Sequence, residues 1–293
     1  MKKVVIAGGT GFIGTYLATR FREIGFKVVI VSRNPEHVSW MSNDLQQAVE
    51  GSELVINLAG KSINCRHNAA NRKAILESRI KSTKLIGEAI TACSEPPKLW
   101  VNASASAIYK ASEEKAMTED ETDLATGFMA DVVSEWESTF FEFELPGTRQ
   151  VALRTSVVLG KNGGALKPLA LLSRLGLGGK QADGTQIFSW LHIEDYFKIV
   201  QFLIKETSIQ GVINCTAPNP LTNNDFMNSL RNTVSAFFGI PAPRFAIIIG
   251  ARLMGTESKL LLDSSFLLPK RLLECGYKFA FPNIDKALVD LLK

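Results

Sequence analysis

A glycine-rich segment near the start of the chain limits the fold more than any other feature. Residues 7–14 read AGGTGFIG and directly follow the apolar run VVI, so they lie where a first strand would end. Gly8 suits a tight turn from strand to helix, Gly11 lets a pyrophosphate approach the backbone, and Gly14 permits close packing of helix on strand. The first N–H groups of the following helix would face phosphate oxygens. The segment therefore predicts a dinucleotide-binding turn.

The first half of the chain alternates short apolar runs with helical patterns. Strands are predicted at residues 3–7, 27–31, 54–58, 99–102 and 151–154, and helices at 12–24, about 69–91 and about 128–143. Strands that are separated by helices indicate βαβ units with right-handed crossovers and a parallel sheet. We therefore expect an α/β fold with a Rossmann-type, doubly wound parallel sheet.

The pattern becomes looser after about residue 160. Glycines are frequent between residues 163 and 184, prolines interrupt PAPRF, and the tail contains short elements and a closing helix. We expect residues 1–160, with parts of 185–215, to form the dinucleotide-binding domain. Residues 161–293 would then form a smaller, partly interleaved C-terminal substrate lobe.

Composition excludes several classes of protein. The chain has 293 residues, of which 46% are hydrophobic, and its mean hydropathy is +0.08. Because no apolar run is long enough for a membrane span or a signal peptide, we expect a cytoplasmic protein without a membrane partner. The net charge of +4 comes from interleaved charges, which gives no reason to expect nucleic acid. The cysteines are far apart and His37 and His67 are isolated, so we expect no metal site.

The end of the second predicted strand indicates which dinucleotide binds. NAD-binding versions of this turn place a carboxylate there to bind the ribose 2′-hydroxyl. This chain instead reads VSRN, with Ser32 and Arg33 and no acid. Arg33 can pair with a 2′-phosphate and lie on the adenine, and Ser32 can donate a hydroxyl. We therefore predict NADP(H); the alternative is that Arg33 is an ordinary surface arginine.

Five motifs in order carry a resemblance to a known family. GGTGFIG, LVINLAG, ASASAIY, ALRTSVVLG and FSWLHIEDY resemble an extended short-chain dehydrogenase/reductase of the NAD-dependent epimerase/dehydratase type. NLAGKSI, SRIKST, DVVSEWE, RLGLGG and the tail LPKRLLECGYKFAFPNIDKAL resemble an atypical subgroup of it. Members of this subgroup are labelled epimerase family proteins or putative sugar-nucleotide epimerases similar to cell-division inhibitors. The resemblance covers essentially the whole chain.

This resemblance implies a seven-stranded parallel sheet with the cofactor along its carboxyl edge. It also implies the residues that bind the cofactor. These are Gly8, Thr10, Gly11, Phe12 and Ile13 at the pyrophosphate, with Gly14 in the same turn, Ser32 and Arg33 at the adenosine phosphate, Leu58, Ala59 and Gly60 beside the ribose, Arg79 on the long helix, and Val157 near the nicotinamide. For the last two, a solvated helix residue and a core valine are the alternatives.

The chain departs from the family at the proton relay. Typical members use a serine, a tyrosine and a lysine four residues after that tyrosine, which lowers the tyrosine pKa. No tyrosine of this chain is followed by lysine at that spacing. Phe128 occupies the tyrosine position and Val132 the lysine position, and neither side chain can exchange a proton.

Two hydroxyl groups near the expected site remain as catalytic candidates. Ser104 follows the predicted strand 99–102, and Tyr109 comes five residues later. Either could supply a proton, assisted by Glu121 or Asp131. The alternative is that these are a small residue at a strand end and a packed aromatic.

Further along the chain, the segment RLGLGGKQADGTQIFSW suits a mobile loop over the nicotinamide and substrate. Gln186 and Trp190 are candidates to face the substrate. His192 is either an acid/base residue there or a structural one.

Three functions are compatible with the sequence. The first is an NADPH-dependent oxidoreductase acting on a small carbonyl or alcohol with a non-standard proton donor. The second is a catalytically silent NADP(H)-binding redox sensor or regulator, and the third is a nucleotide-sugar epimerase or dehydratase. A homodimer through paired long helices stays open.

Overall fold

The computed structural model of the chain describes residues 1–253, 255 and 257–293, and its strands form one large sheet and two small ones. The strands are β1 (Lys3–Ala7), β2 (Lys27–Val31), β3 (Leu54–Asn57), β4 (Leu99–Ala105), β5 (Arg149–Thr155), β6 (Val157–Gly160), β7 (Gly163–Gly164), β8 (Ile187–Phe188), β9 (Trp190–His192), β10 (Gly211–Cys215) and β11 (Leu221–Thr222).

The helices lie between and around these strands. They are α1 (Phe12–Glu23), α2 (Ser42–Val49), α3 (Ala69–Thr91), α4 (Phe128–Phe141), α5 (Leu166–Arg174), α6 (Ile193–Lys205), α7 (Asn223–Thr233), α8 (Arg244–Leu253), α9 (Lys259–Leu262), α10 (Lys270–Glu274) and α11 (Ile284–Leu292). None of the helices within the described residues combines the length and apolarity needed to cross a membrane.

The large sheet confirms the predicted α/β fold. Its strands are all parallel and run in the order β2-β1-β3-β4-β5-β10. The chain moves outward from β1 to β2 and then returns to β3 on the other side of β1. Ligands of such sheets bind in the crevice at the carboxyl ends of the strands where the order reverses. The glycine turn that follows β1 lies at this switch point.

Both faces of the sheet are covered, which explains the continuous apolar runs of its strands. Val4 and Ile6 of β1 pack in one core with residues of α1 and α6. Val5 and Ala7 pack in another core with residues of α2, α3 and α4. Successive side chains of a strand therefore enter two different cores.

The expectation of seven strands is wrong, because the large sheet has six strands among the described residues. At the β10 edge, the Arg271 guanidinium at the start of α10 donates to the Val212 carbonyl oxygen (3.1 Å). Beyond β5 the chain leaves the sheet, and β6 pairs in parallel with β9, Val157 opposite Trp190. The strands β6 and β9 therefore belong to a small separate sheet and do not extend the large one.

A third core is formed by elements that follow β5 in the chain. It contains buried residues of β6, β9, α5, α7 and α11, among them Leu169, Trp190 and Leu230. The buried Asp195 carboxylate on α6 accepts from the N–H groups of Ala280 and Phe281, both at 2.8 Å. This acid therefore fixes the tail that leads into α11.

Candidate cofactor site and active site

The glycine turn is required by the backbone that surrounds it. Gly8 has φ +77°, and a Cβ there would lie 2.8 Å from the Ala59 nitrogen. A Cβ on Gly14 would lie 2.5 Å from the Gly8 carbonyl oxygen, closer than real contacts allow. A Cβ on Gly11 would meet only the Gly8 oxygen, at 3.4 Å, so the space above Gly11 is open. Gly8 and Gly14 thus shape the turn, and Gly11 leaves room for a ligand.

The start of α1 offers free donors beside that space. Gly11 is the N-cap, no side chain caps the helix, and its first turn contains no acid. Helical geometry leaves the first N–H groups of such a helix without backbone partners. Together with the helix dipole, they favour an anion.

Phe12 is held by three glycines of the β6–β7 hairpin, of which Gly163 and Gly164 were expected only in a loop. A Cβ on Gly160 or Gly163 would lie 2.6 Å from the Phe12 ring, and one on Gly164 would lie 3.0 Å from it. The β6–β7 hairpin therefore forms a socket for this ring. The Phe12 side chain anchors α1 to the hairpin, and only the Phe12 backbone stays available to a phosphate.

The loop after β2 brings Ser32 and Arg33 to the sheet edge. The Ser32 hydroxyl bonds His37 Nδ1 (2.8 Å) and accepts from the Asn34 N–H (3.0 Å), so it is nearly buried in its own turn. Arg33 is exposed and forms no ion pair among the residues that the structure describes. The guanidinium is therefore available to a ligand, while Ser32 organises the loop with His37, a residue that the sequence analysis treated as isolated.

Residues after β3 form the opposite wall of the crevice. The buried Asn57 amide accepts from the Ala59 N–H (3.1 Å) and donates to Asn102 Oδ1 (2.8 Å). Asn57 thereby fixes the path of Leu58, Ala59 and the exposed Gly60 at the carboxyl end of β3. Two parallel strands are locked together at this edge.

Arg79 of α3 lies beside that wall. It donates to the carbonyl oxygens of Ile75 (2.9 Å) and Lys61 (3.1 Å), and its guanidinium stacks over Trp136. Burial lowers the pKa of Arg79 to about 10, so it stays charged near neutral pH. Within the described chain no carboxylate pairs with it. A partly buried cation that contacts only carbonyl oxygens and a ring fits an anionic ligand.

Ser104 at the end of β4 belongs to a buried polar network. Its hydroxyl donates to Glu137 Oε1 at 2.5 Å. Arg154 holds the same carboxylate in a two-point contact, with its Nε 2.9 Å from Oε1 and its Nη2 2.7 Å from Oε2. All three residues are less than 10% exposed. The ion pair thus fixes the orientation of the Ser104 hydroxyl.

Tyr109 lies at the other side of Arg154. Its hydroxyl accepts from Arg154 Nη1 (2.8 Å) and donates to Asn214 Oδ1 (2.8 Å). Burial raises the pKa of Tyr109 above its ordinary value. The hydroxyl groups of Ser104 and Tyr109 therefore both donate hydrogen bonds to protein atoms, Glu137 Oε1 and Asn214 Oδ1. Their proposed roles in proton transfer stay predictions.

The carboxylate that contacts Ser104 belongs to Glu137, and not to Glu121 or Asp131, the two residues that were expected to assist proton transfer. Glu121 pairs with Lys115 instead, and Asp131 is exposed on α4. Neither contacts Ser104 or Tyr109 in the described part of the chain. Glu137 lies on α4 within the motif DVVSEWE, but sequence alone does not show which turn of that helix faces β4.

The positions of the missing relay are apolar in the structure as well. Phe128 begins α4, and its ring meets the edge of His67 at 5.3 Å and the Arg72 guanidinium at 4.8 Å. Val132 is buried one turn later. Nothing at these two positions can carry a proton.

His192, at the end of β9, makes structural contacts. Its Nδ1 accepts from the Glu194 N–H (3.1 Å), which caps α6, and its ring stacks on Phe281. Its Nε2 lies 3.4 Å from Asp290 Oδ2. Among the described residues, no three His, Cys, Asp or Glu side chains are grouped to hold a metal.

The residues expected near the nicotinamide and substrate lie at β6 and β9. Val157 is half-buried at the start of β6. Trp190 is fully buried and donates to the Asn219 carbonyl oxygen (3.2 Å), and Gln186 donates to the Gln181 carbonyl oxygen (3.1 Å). Trp190 and Gln186 thus donate to backbone carbonyl groups of the protein, while Val157 stays a candidate.

Comparisons with known proteins agree with this geometry. The model of the NAD dependent epimerase/dehydratase family matches residues 4–215, and a domain of unknown function, DUF1731, matches residues 242–291. The mouse (Mus musculus) epimerase family protein SDR39U1 is 35% identical over 298 residues, which cover 99% of both chains.

Solved structures extend the comparison. The crystal structure of human epimerase family protein SDR39U1 with NADPH has a TM-score of 0.88 and 34% identity, covering 99% of this chain and 98% of that one. UDP-N-acetylglucosamine 4-epimerase from Bacillus cereus shares the fold, with a TM-score of 0.79 at 17% identity over 99% of this chain and 98% of that one. The extended short-chain dehydrogenase/reductase resemblance is thus confirmed, and the chain belongs to the NAD dependent epimerase/dehydratase family.

Proposed function

We propose that this chain binds NADP(H) along the carboxyl ends of β1, β3 and β4 and acts as an oxidoreductase on a small carbonyl or alcohol. The open space above Gly11 and the uncapped start of α1 fit a pyrophosphate. Arg79 and the wall formed by Leu58, Ala59 and Gly60 fit the remainder of a dinucleotide. The similar human protein was crystallised with NADPH.

The observation that carries this proposal is the charge at the end of β2. Arg33 is exposed and unpaired among the described residues, and the residues 31–35 contain no acid. A carboxylate at this place would bind a ribose hydroxyl and repel a 2′-phosphate, whereas a guanidinium binds the phosphate at two points. NADP(H) is therefore favoured over NAD(H).

The nicotinamide, when bound, would supply or accept a hydride. Because Ser104 donates its own proton to Glu137, its oxygen is left to accept a hydrogen bond from a substrate hydroxyl. A proton leaving that hydroxyl would pass to Ser104 as the Ser104 proton passes to Glu137, and reduction would use the same path in reverse. Arg154 contacts both oxygens of the Glu137 carboxylate and thereby holds this proposed proton acceptor in place. The network thereby offers an alternative to the missing tyrosine and lysine.

A catalytically silent NADP(H)-binding protein is the second candidate. This candidate is favoured because the hydroxyl groups of Ser104 and Tyr109 both donate their hydrogen bonds to protein atoms. It is also favoured because Phe128 and Val132 occupy the relay positions. A nucleotide-sugar epimerase or dehydratase receives no such support, because its chemistry ordinarily depends on the tyrosine that Phe128 replaces.

The test is oxidation or reduction of the cofactor with a panel of small alcohols, carbonyls and quinones. We expect turnover with at least one compound and a loss of kcat of about 100-fold in Ser104→Ala, the usual size of a proton-transfer contribution. Ser134→Ala, an exposed position on α4, is the matched control and should keep full activity. Tight NADPH binding without turnover on any compound would favour the silent protein instead.

A further inference from the structure

Two segments of the C-terminal lobe expose large apolar side chains. The first is the end of α5 and the loop beyond it, with exposed Leu171, Leu172, Leu175 and Leu177. The second runs from residue 237 to residue 253 and begins with exposed Phe237, Phe238 and Ile240. We call the exposed apolar side chains of residues 171–177 and 237–253 the apolar surface. Exposed patches of this kind on a soluble lobe mark a contact site.

The two segments lie directly against each other. The Ile240 N–H donates to the Gly176 carbonyl oxygen (2.8 Å), and the Ala182 N–H donates to the Ala242 carbonyl oxygen (2.9 Å). A Cβ on Gly176 would lie 2.6 Å from the Phe238 ring, so this ring covers the turn between the exposed leucines. The helix α8 begins two residues after Ala242. The apolar side chains thus project from one continuous structure.

The helix α8 turns apolar side chains toward solvent. Phe245, Ile248, Ile249 and Leu253 are all exposed, Leu253 by 83%, and they recur at helical spacing. Ile247 and Ala251 occupy the buried side of the same helix. A surface helix ordinarily presents a polar face to water. The apolar outer face of α8 therefore needs a partner.

Within the two segments of the apolar surface all charged residues are positive, and the first acids that follow these segments are Asp183 and Glu257. Residues 161–182 contain four Lys or Arg, residues 226–256 contain three, and neither range contains Asp or Glu. Arg174, Lys180 and Arg244 are exposed, and none of them forms an ion pair among the described residues. An anionic partner would complement these charges.

We propose that the apolar surface docks peripherally onto an anionic lipid bilayer. Exposed aromatic and aliphatic side chains would enter the headgroup boundary, and the surrounding Arg and Lys would contact lipid phosphates. A second copy of the chain is disfavoured because a face-to-face dimer would bring like charges together. A small-molecule cleft is disfavoured because Phe237 is fully exposed at 104% rather than partly enclosed. The expectation of no membrane partner rested on spanning helices, which this contact does not use.

The test is sedimentation of the full chain with phosphatidylcholine vesicles that contain or lack phosphatidylglycerol. We expect binding only to the anionic vesicles, with weakening as salt rises. Phe237→Ser combined with Phe245→Ser should lower the affinity by about tenfold or more, because it removes apolar side chains that would be buried in lipid. Arg174→Glu combined with Arg244→Glu should lower it by about tenfold or more through reversed charge.

The matched control lies on α11, another surface helix of the same lobe. Val289→Ser combined with Lys286→Glu removes one exposed apolar side chain and reverses one charge there, and vesicle binding should not change. Absence of binding to anionic vesicles would overturn the proposal. So would an equal loss in the control, or a dimer in sedimentation velocity that the Phe237 and Phe245 substitutions dissociate.

Discussion

The glycine turn after β1 and the end of β4 lie on the same sheet edge, yet they differ in what they leave open. At the turn, the backbone fixes Gly8 and Gly14, while the space over Gly11 and the first donors of α1 stay free. At the end of β4, the hydroxyl of Ser104 is already committed to a buried carboxylate. The glycine turn therefore leaves space for a ligand, whereas the polar groups at the end of β4 already bond to one another.

This difference shows that nucleotide binding and proton transfer are separable in this fold. The proposed cofactor binding rests on backbone geometry and on the positive charges of Arg33 after β2 and Arg79 on α3. The proposed proton transfer would use a few side chains of β4 and α4, where Phe128 and Val132 stand in place of the usual relay. A chain can therefore keep the first while the second is rebuilt or lost.

The largest expected effect concerns the network at β4. Glu137→Ala should lower the free energy of unfolding by about 3–5 kcal/mol, because it leaves the buried Arg154 guanidinium without its carboxylate. Chemical denaturation measures the effect, and Glu135→Ala, exposed on the same helix, should change it little. Equal losses in the two variants would mean that the network contributes nothing specific.

A second prediction separates the two functions of the glycine turn. Gly14→Ala should cost about 3 kcal/mol of stability, because its Cβ would meet the Gly8 carbonyl oxygen at 2.5 Å. Gly11→Ala should leave thermal stability nearly unchanged and abolish the stabilisation by NADPH. If the Gly11 variant kept full NADPH stabilisation, the pyrophosphate would not lie above the turn.

A third prediction concerns the adenosine phosphate. Arg33→Ala should weaken NADPH binding by at least about tenfold, as expected for the loss of a charged hydrogen-bond pair, and should weaken NADH binding much less, because NADH shares the adenine but lacks the 2′-phosphate. Calorimetric titration measures both affinities. Arg22→Ala, exposed at the end of α1, serves as the control and should alter neither.

The smallest effect is a pH dependence of stability that arises from His192. Burial lowers the pKa of His192 below its ordinary value of 6.5, so the folded state favours the neutral ring. Stability should therefore be fully present above pH 6.5 and fall as the pH decreases through and below that value. His192→Asn keeps a cap for the Glu194 N–H and should flatten this decline in thermal melts between neutral and acidic pH. An identical decline in the variant would assign the effect to other groups.

The strands and long helices were predictable because their apolar patterns are local. The predicted strands 3–7 and 27–31 agree with β1 and β2, and the helix predicted at about 69–91 agrees with α3. The seven strands that the family resemblance implied were wrong: the large sheet has six among the described residues, and Arg271, far along the chain, donates to Val212 of the edge strand β10. Sequence periodicity does not show which distant element covers an edge.

The candidate site likewise contains residues that the sequence predicted and contacts that it did not. The glycine turn and the Arg33 position follow from a motif and its spacing, so sequence sufficed to propose them. The contact between Ser104 and Glu137 joins residues 33 positions apart, and the Phe12 socket joins α1 to glycines about 150 positions later. Such pairs depend on tertiary packing, and composition gives no signal for them.

The most direct measurement of the central claim is calorimetric titration of the unmodified chain with NADPH and with NADH under the same buffer and salt conditions. The charge at the end of β2 predicts an affinity for NADPH at least about tenfold higher than that for NADH. Equal affinities, or tighter binding of NADH, would contradict the assignment of Arg33 to the 2′-phosphate and with it the proposed use of NADP(H).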